Sequence, residues 1–178
     1  SYPAHVEIVF GPVREPGDER DEDAGARSTL LPGQAGERLD LLDCFPPTVT
    51  VLEGIRAAVS PATRVEVARG CGIDTQDEGG IAAAAALAAD CDVAVVVVGG
   101  RSGLVRGCTS GEANDCADLR LTGRQEDLVR AVAATGTPTV VVVYGGSAVD
   151  MRDWIEAADA VLMAWYPGEQ GGGAVADV

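Results

Sequence analysis

The chain has 178 residues, 47% of them apolar and only 4% aromatic, and a formal net charge of −15. That apolar share excludes a disordered chain and suits a domain whose core is filled by Ala, Val and Leu. The acidic excess repels phosphate backbones and anionic lipid, and no apolar run is long enough to span a bilayer, so nucleic acid and membrane are excluded as partners.

Residues 11–47 are rich in Pro, Gly and charge. The stretch from Arg14 to Asp23 has too little apolar surface to order itself, so this region reads as a mobile insertion. Regular patterning follows. Thr50 to Val59 is expected to be a short helix with Val51, Leu52, Ile55 and Val59 on one face. Arg64 to Ala68 reads as a strand, and the Ala-rich Gly79 to Ala89 as a helix. Asp92 to Val98 is a continuous apolar run, the pattern of a central parallel strand covered on both faces. Gly99 to Thr122 is a long loop, and Gly123 to Ala134 a helix with Leu128, Val129 and Val132 inward. Thr139 to Tyr144 is a second strand, Asp150 to Ala157 a short helix carrying Trp154, and Ala160 to Trp165 a third strand. The stretch after Gly173 reads as a helix just starting. This alternation predicts βαβ units, right-handed crossovers and a mostly parallel sheet.

Ligands of open parallel sheets bind beyond the carboxyl ends of the strands. That rule selects three loops: Gly99 to Thr122, Gly145 to Val149, and Tyr166 to Gly173. The first is the longest, and long loops on a fixed root are frequently functional. It spaces three carboxylates, Glu112, Asp115 and Asp118, three residues apart, and Gly111 lets backbone approach a ligand just before Glu112. Arg101 and Arg106 can bond hydroxyls or tune a carboxylate, and Ser102 adds a hydroxyl. The same loop also reads as solvated surface, with Asp118 capping the following helix.

At this point the order of motifs resembles a known family. Asp92 to Gly99, Ser110-Gly111-Glu112 with Asp115, and Leu119 to Gln125 are similar to the carboxy-terminal domain of family 3 glycoside hydrolases. So are Gly136-Thr137-Pro138 with the strand after it, Trp165 to Gly172, Val51 to Ile55, and Arg69-Gly70-Cys71. Thr122, Cys116 and the stretch Gly145 to Ala148 depart from the family's common pattern. The resemblance implies a three-layer α/β/α sandwich over residues 48–178, with residues 1–10 a remnant of the domain's start. Its first strand and its C-terminal end are expected to lie outside the chain. It implies part of a retaining β-glycosidase of β-glucosidase or β-xylosidase type, acting on a β-linked glucoside or xyloside without cofactor or metal. The general acid/base role falls on Glu112, with Arg101, Ser102, Arg106 and Asp115 as substrate contacts. The nucleophilic Asp is expected on an N-terminal TIM-like barrel outside this chain. The isolated chain is then expected to be inactive.

Other features weigh less. His5 is the sole histidine and reads as a surface residue beside the insertion, which argues against a Ser/His triad within the chain. Gly168 to Gly173 follows a strand, but it lacks the Lys-Ser/Thr of a phosphate loop and reads as a tight strand-to-helix turn. A doubly wound nucleotide- or sugar-binding module without chemistry is the alternative reading. Trp165 and Tyr166 suit either sugar stacking or core packing. Of five cysteines, Cys108 and Cys116 bracket Glu112, and a disulfide there would pin the loop. The odd count and the spacing exclude a zinc site.

Overall fold

A computed structural model describes residues 48–102, 108–111 and 115–178. His5, Cys44, Arg106 and Glu112 lie outside the described residues, as does all of the insertion.

Among the described residues, four helices and three strands follow in the order α1 (Val51–Ala58), α2 (Ile81–Ala88), β1 (Ala94–Gly99), α3 (Gln125–Ala133), β2 (Thr139–Tyr144), β3 (Ala160–Trp165) and α4 (Gly171–Asp177). The sheet is parallel with order β1-β2-β3, and Ala94 pairs with Thr139 and Val140 with Ala160. Val-rich strands suit this geometry because β-branched side chains pack well on a pleated surface. α2 and α3 cover one sheet face. There Val96, Val98, Val141 and Val143 meet Ala84, Ala88, Leu128, Val129 and Val132. Burying each such Val side chain contributes about 1.5–3 kcal/mol.

α1 begins on a capping box. Thr50 Oγ1 accepts from the Glu53 amide, and the Glu53 carboxylate accepts from both Thr50 N and Thr50 Oγ1 at 2.8 Å. Those bonds to Thr50 hold the Glu53 carboxyl below its ordinary pKa. α1 then packs on α4 through glycines. A Cβ on Gly54 would land on the Gly172 carbonyl, and one on Gly172 on the Thr50 carbonyl. The Gly-rich run after β3 is therefore a packing device, with Gly171 N closing a turn on Gly168 O at 3.0 Å.

Four expectations change. Arg64 to Ala68 joins no ladder among the described residues, although Arg64 is tied to Asp90 at 3.0 Å. The face of β1 opposite α2 and α3 is open among the described residues, so its burial alternates and Val95 and Val97 are 42% and 48% exposed rather than covered. The Asp150–Ala157 segment forms only a one-turn 3-10 helix, Ile155–Ala157, preceded by the fully buried Trp154. Asp118 caps no helix, because α3 starts only at Gln125 and Asp118 bonds Arg120 instead.

Candidate functional site at the carboxyl rim of the sheet

The three loops selected by the strand-end rule converge. One cleft at the carboxyl ends of the strands is lined by Gly100 and Ser110 from the first, Gly145 and Val149 from the second, and Tyr166 from the third. Tyr144, the last residue of β2, forms part of its wall, and burial pushes that phenol above its ordinary pKa, so it stays protonated. The Tyr166 hydroxyl reaches across to the Gly100 carbonyl at 3.4 Å.

The long loop leaves β1 and returns to its own root. Thr109 N and Ser110 N donate to the Arg101 carbonyl at 2.7 and 3.3 Å, Arg101 N donates to Thr109 Oγ1 at 2.9 Å, and Ser102 bridges Ser110. This closure brings Arg101, Ser102 and Ser110 together beside the cleft. Gly111 follows with φ 140°, a conformation glycine adopts at no steric cost. The returning arm passes Asp115, which is exposed and makes no bond to Arg101 among the described residues. Cys116 donates its thiol to the Thr109 carbonyl at 3.0 Å, and no disulfide joins it to Cys108.

The root of the loop is fixed by Gln125, a buried residue that sequence reading left among family matches without a role. Its Oε1 accepts from Gly99 N at 2.7 Å, and its Nε2 donates to Gly99 O at 2.9 Å and to Ile73 O at 2.8 Å. A polar residue in the first turn of a helix that follows a central strand was the available signal.

Two carboxylates on the rim are locked in their ionised form. Asp118 accepts from Arg120 Nη2 at 2.6 Å, which holds its pKa below the ordinary carboxylate range. Asp150 accepts from Arg152 Nη2 and Nε, and its pKa falls to about 2. The Asp150 amide donates to the Leu119 carbonyl at 2.8 Å, which ties the two pairs into one rim. Neither carboxyl can hold a proton near neutral pH, so neither is suited to act as an acid.

Trp165 is not core. It is 55% exposed with φ 56°, at the point where the register of β2 and β3 shifts. A bulky residue held in left-handed backbone next to the cleft residue Tyr166 is the kind of strain that clusters at functional sites.

Residues 8–178 match the model of the glycosyl hydrolase family 3 C-terminal domain. The chain is 36% identical over 133 residues to a beta-xylosidase of Formosa agariphila, covering 75% of this chain and 18% of that protein. It is 32% identical to a periplasmic beta-glucosidase of Salmonella typhimurium, covering 74% of this chain and 19% of the relative. Among solved structures, a Bifidobacterium adolescentis GH3 beta-glucosidase superposes with a TM-score of 0.63 at 29% identity, covering 74% of this chain and 19% of the other. A GH3 exo-beta-xylosidase in complex with a xylobiose aziridine probe gives 0.62 at 27% identity, over 74% of this chain and 16% of that one. The chain thus spans less than a fifth of the length of each of these relatives.

Proposed function

The chain belongs to glycosyl hydrolase family 3 as its C-terminal domain, and from that premise we propose that it supplies the general acid/base of a retaining β-glycosidase, Glu112. The single observation that carries this reading is the convergence of all three strand-exit loops on one cleft. Gly111, the residue before Glu112, stands at the pinned end of the longest loop. The ionised state of Asp118 and Asp150 supports it by removing the neighbouring carboxyls from the acid's role.

The mechanism requires two carboxyl groups roughly 5–5.5 Å apart. An Asp on a TIM-like barrel outside this chain attacks the anomeric carbon while Glu112 donates its proton to the leaving glycosidic oxygen. Glu112, now a carboxylate, then takes a proton from water, and the hydroxide oxygen displaces the Asp ester with net retention. Arg101, Ser102, Arg106 and Asp115 line the approach and bond sugar hydroxyls. For Glu112 to hold its proton near neutral pH, its surroundings must be desolvated or negative. A domain with a formal charge of −15 favours the neutral form of a rim carboxyl. On this reading residues 48–178 form the sandwich and residues 11–47 an insertion in the domain. The substrate is a β-linked glucoside or xyloside, the two classes named among the relatives.

In the complete enzyme, Glu112→Ala slows hydrolysis of an aryl β-glucoside or aryl β-xyloside by about 10²–10⁴-fold. Added azide partly restores turnover on activated substrates and yields the β-glycosyl azide. Wild-type rates in Glu112→Ala, or loss of activity with no azide product, would remove the residue from this role. The 178-residue chain alone should hydrolyse neither substrate. A non-catalytic binding module would show no effect of either perturbation.

A further inference from the structure

The three loops at the carboxyl rim meet on one side chain. Tyr166 opens the third loop, and its ring lies on the second, where a Cβ built on Gly146 would stand 2.8 Å from Tyr166 Cε2 and 3.3 Å from Cδ2. Its hydroxyl donates to the Gly100 carbonyl, at the start of the first loop, at 3.4 Å. The second and third loops are also tied at their roots, where Gly145 N donates to the Trp165 carbonyl at 3.3 Å.

An irregularity in β3 aims Tyr166 this way. Val143 pairs with Met163 and Tyr144 with Trp165, so Ala164 is an extra residue opposite β2. Such a bulge bends its strand and re-aims the side chains that follow. Trp165 completes the turn with φ 56°, a region that a bulky residue enters only when its surroundings hold it there. Two glycines leave room for the ring and hydroxyl. A Cβ on Gly146 would strike the ring, and one on Gly100 would stand 2.5 Å from Thr109 Oγ1 and 3.9 Å from the Tyr166 hydroxyl. Neither glycine is in left-handed backbone, so these positions require space and not conformational freedom.

The Gly100 carbonyl is one residue from the neck of the first loop. Arg101 and Thr109 exchange three bonds there: Thr109 N to Arg101 O at 2.7 Å, Arg101 N to Thr109 Oγ1 at 2.9 Å, and Thr109 Oγ1 to Arg101 O at 3.2 Å. In sequence Thr109 leads through Ser110 and Gly111 to Glu112. We propose that Tyr166 is a positioning residue for the acid: a strut, seated on Gly146, that sets where this neck stands and thereby how well Glu112 reaches the leaving oxygen. The proposal rests on the reading of Glu112 as general acid/base. Small displacements of a reacting group are costly, and protonation matters most where the leaving group is basic.

The test uses the complete enzyme and two variants that disturb the strut from opposite ends. Tyr166→Phe keeps the ring and loses the hydroxyl, whereas Gly146→Ala keeps the hydroxyl and displaces the ring. Each is assayed as kcat/KM, which reports the step that expels the leaving group, on a phenyl and a dinitrophenyl β-glycoside. Dinitrophenolate departs without a proton, so only the phenyl substrate senses the acid's position. Each variant should lower the phenyl value by about 3–10-fold. The dinitrophenyl value should stay within about twofold of the parent. The double variant should fall no further than the weaker single one, because both act on one strut. An unchanged phenyl value in Tyr166→Phe, equal losses on both substrates, or additive losses in the double variant overturns the proposal. If Gly146→Ala does not fold, the two substrates in Tyr166→Phe decide alone. Glu112→Ala, run in parallel, separates the two readings. A loss there confined to the phenyl substrate, with none in Tyr166→Phe, refutes the strut and keeps the acid. No dependence on leaving group in Glu112→Ala refutes the acid, and the strut with it.

Discussion

Removing the Gln125 amide tests whether it fixes the exit of β1. In Gln125→Leu the side chain keeps its volume and loses its bonds. Gly99 N and Gly99 O are then left unpaired next to the core, while Ile73 O keeps its 2.6 Å bond from Thr122 Oγ1. Each orphaned buried group costs about 1–3 kcal/mol, and the added apolar contact returns part of that, so a net loss of about 2–4 kcal/mol is expected. For a domain of this size that lowers the melting temperature by about 5–15 °C, read by circular dichroism on the full chain. Gln125→Glu sharpens the test. Its carboxylate can still accept from Gly99 N but must face the Gly99 and Ile73 carbonyls, so its folded-state pKa lies above its unfolded value. The deficit relative to the parent chain is then small below about pH 4, where both states carry a proton, and grows as pH rises past the unfolded pKa. A Gln125→Leu melting point within a degree of the parent refutes this account. So does a Gln125→Glu deficit that is flat from pH 4 to pH 8.

Two further predictions follow from single contacts. Gly54→Ala drives a Cβ onto the backbone carbonyl of Gly172, which cannot rotate away, so α1 and α4 must separate at a cost of about 1–3 kcal/mol or more. Gly173→Ala meets nothing within 4 Å and should be neutral or mildly stabilising, and equal urea midpoints for the two variants would refute the packing argument. Asp150→Asn removes a carboxyl whose folded pKa is depressed to about 2, chiefly by its bonds to Arg152. That stabilisation is present above the unfolded pKa of about 4 and is lost as pH falls through about 2. The urea midpoints of Asp150→Asn and the parent should therefore differ at pH 6 and converge near pH 2.

Strands were legible where composition alone decides them. β2 and β3 begin and end where the Val-rich and Ala-Val-Leu-Met runs do, and the βαβ alternation gave a parallel sheet. α1 was legible through the helical spacing of Val51, Leu52, Ile55 and Val59, and the structure adds the capping box of Thr50 and Glu53 that starts it. Arg64 to Ala68 has strand composition but no ladder, because pairing depends on a neighbour that no local pattern can specify. The 3-10 turn before β3 was misread because one Trp and one Ile mimic a helical face over a segment too short to sustain one. At the site, the convergence of three loops was readable from topology. The Arg120 and Arg152 pairings were not, because an Asp and an Arg two residues apart signal only surface charge until the backbone turns them together.

Those two pairings also shape how the chemistry can be divided. A rim that held several titratable carboxyls would share a proton among them, and no single group would act as a defined acid. Here Asp118 and Asp150 each carry their own guanidinium, so each is a fixed, internally neutralised pair across the pH range in which a glycosidase works. They contribute rigidity to the cleft wall through the Asp150–Leu119 tether but little net field. On the proposed reading, the proton-carrying role falls to the loop that holds Glu112 and Asp115. Asp115 is exposed, and Glu112 follows Gly111, the neighbour of Ser110 in the cleft wall. In the complete enzyme, Asp150→Asn should therefore leave the pH profile of kcat/KM in place, while Glu112→Ala should erase its basic limb. A basic limb that moves with Asp150 would mean that the rim shares its proton after all.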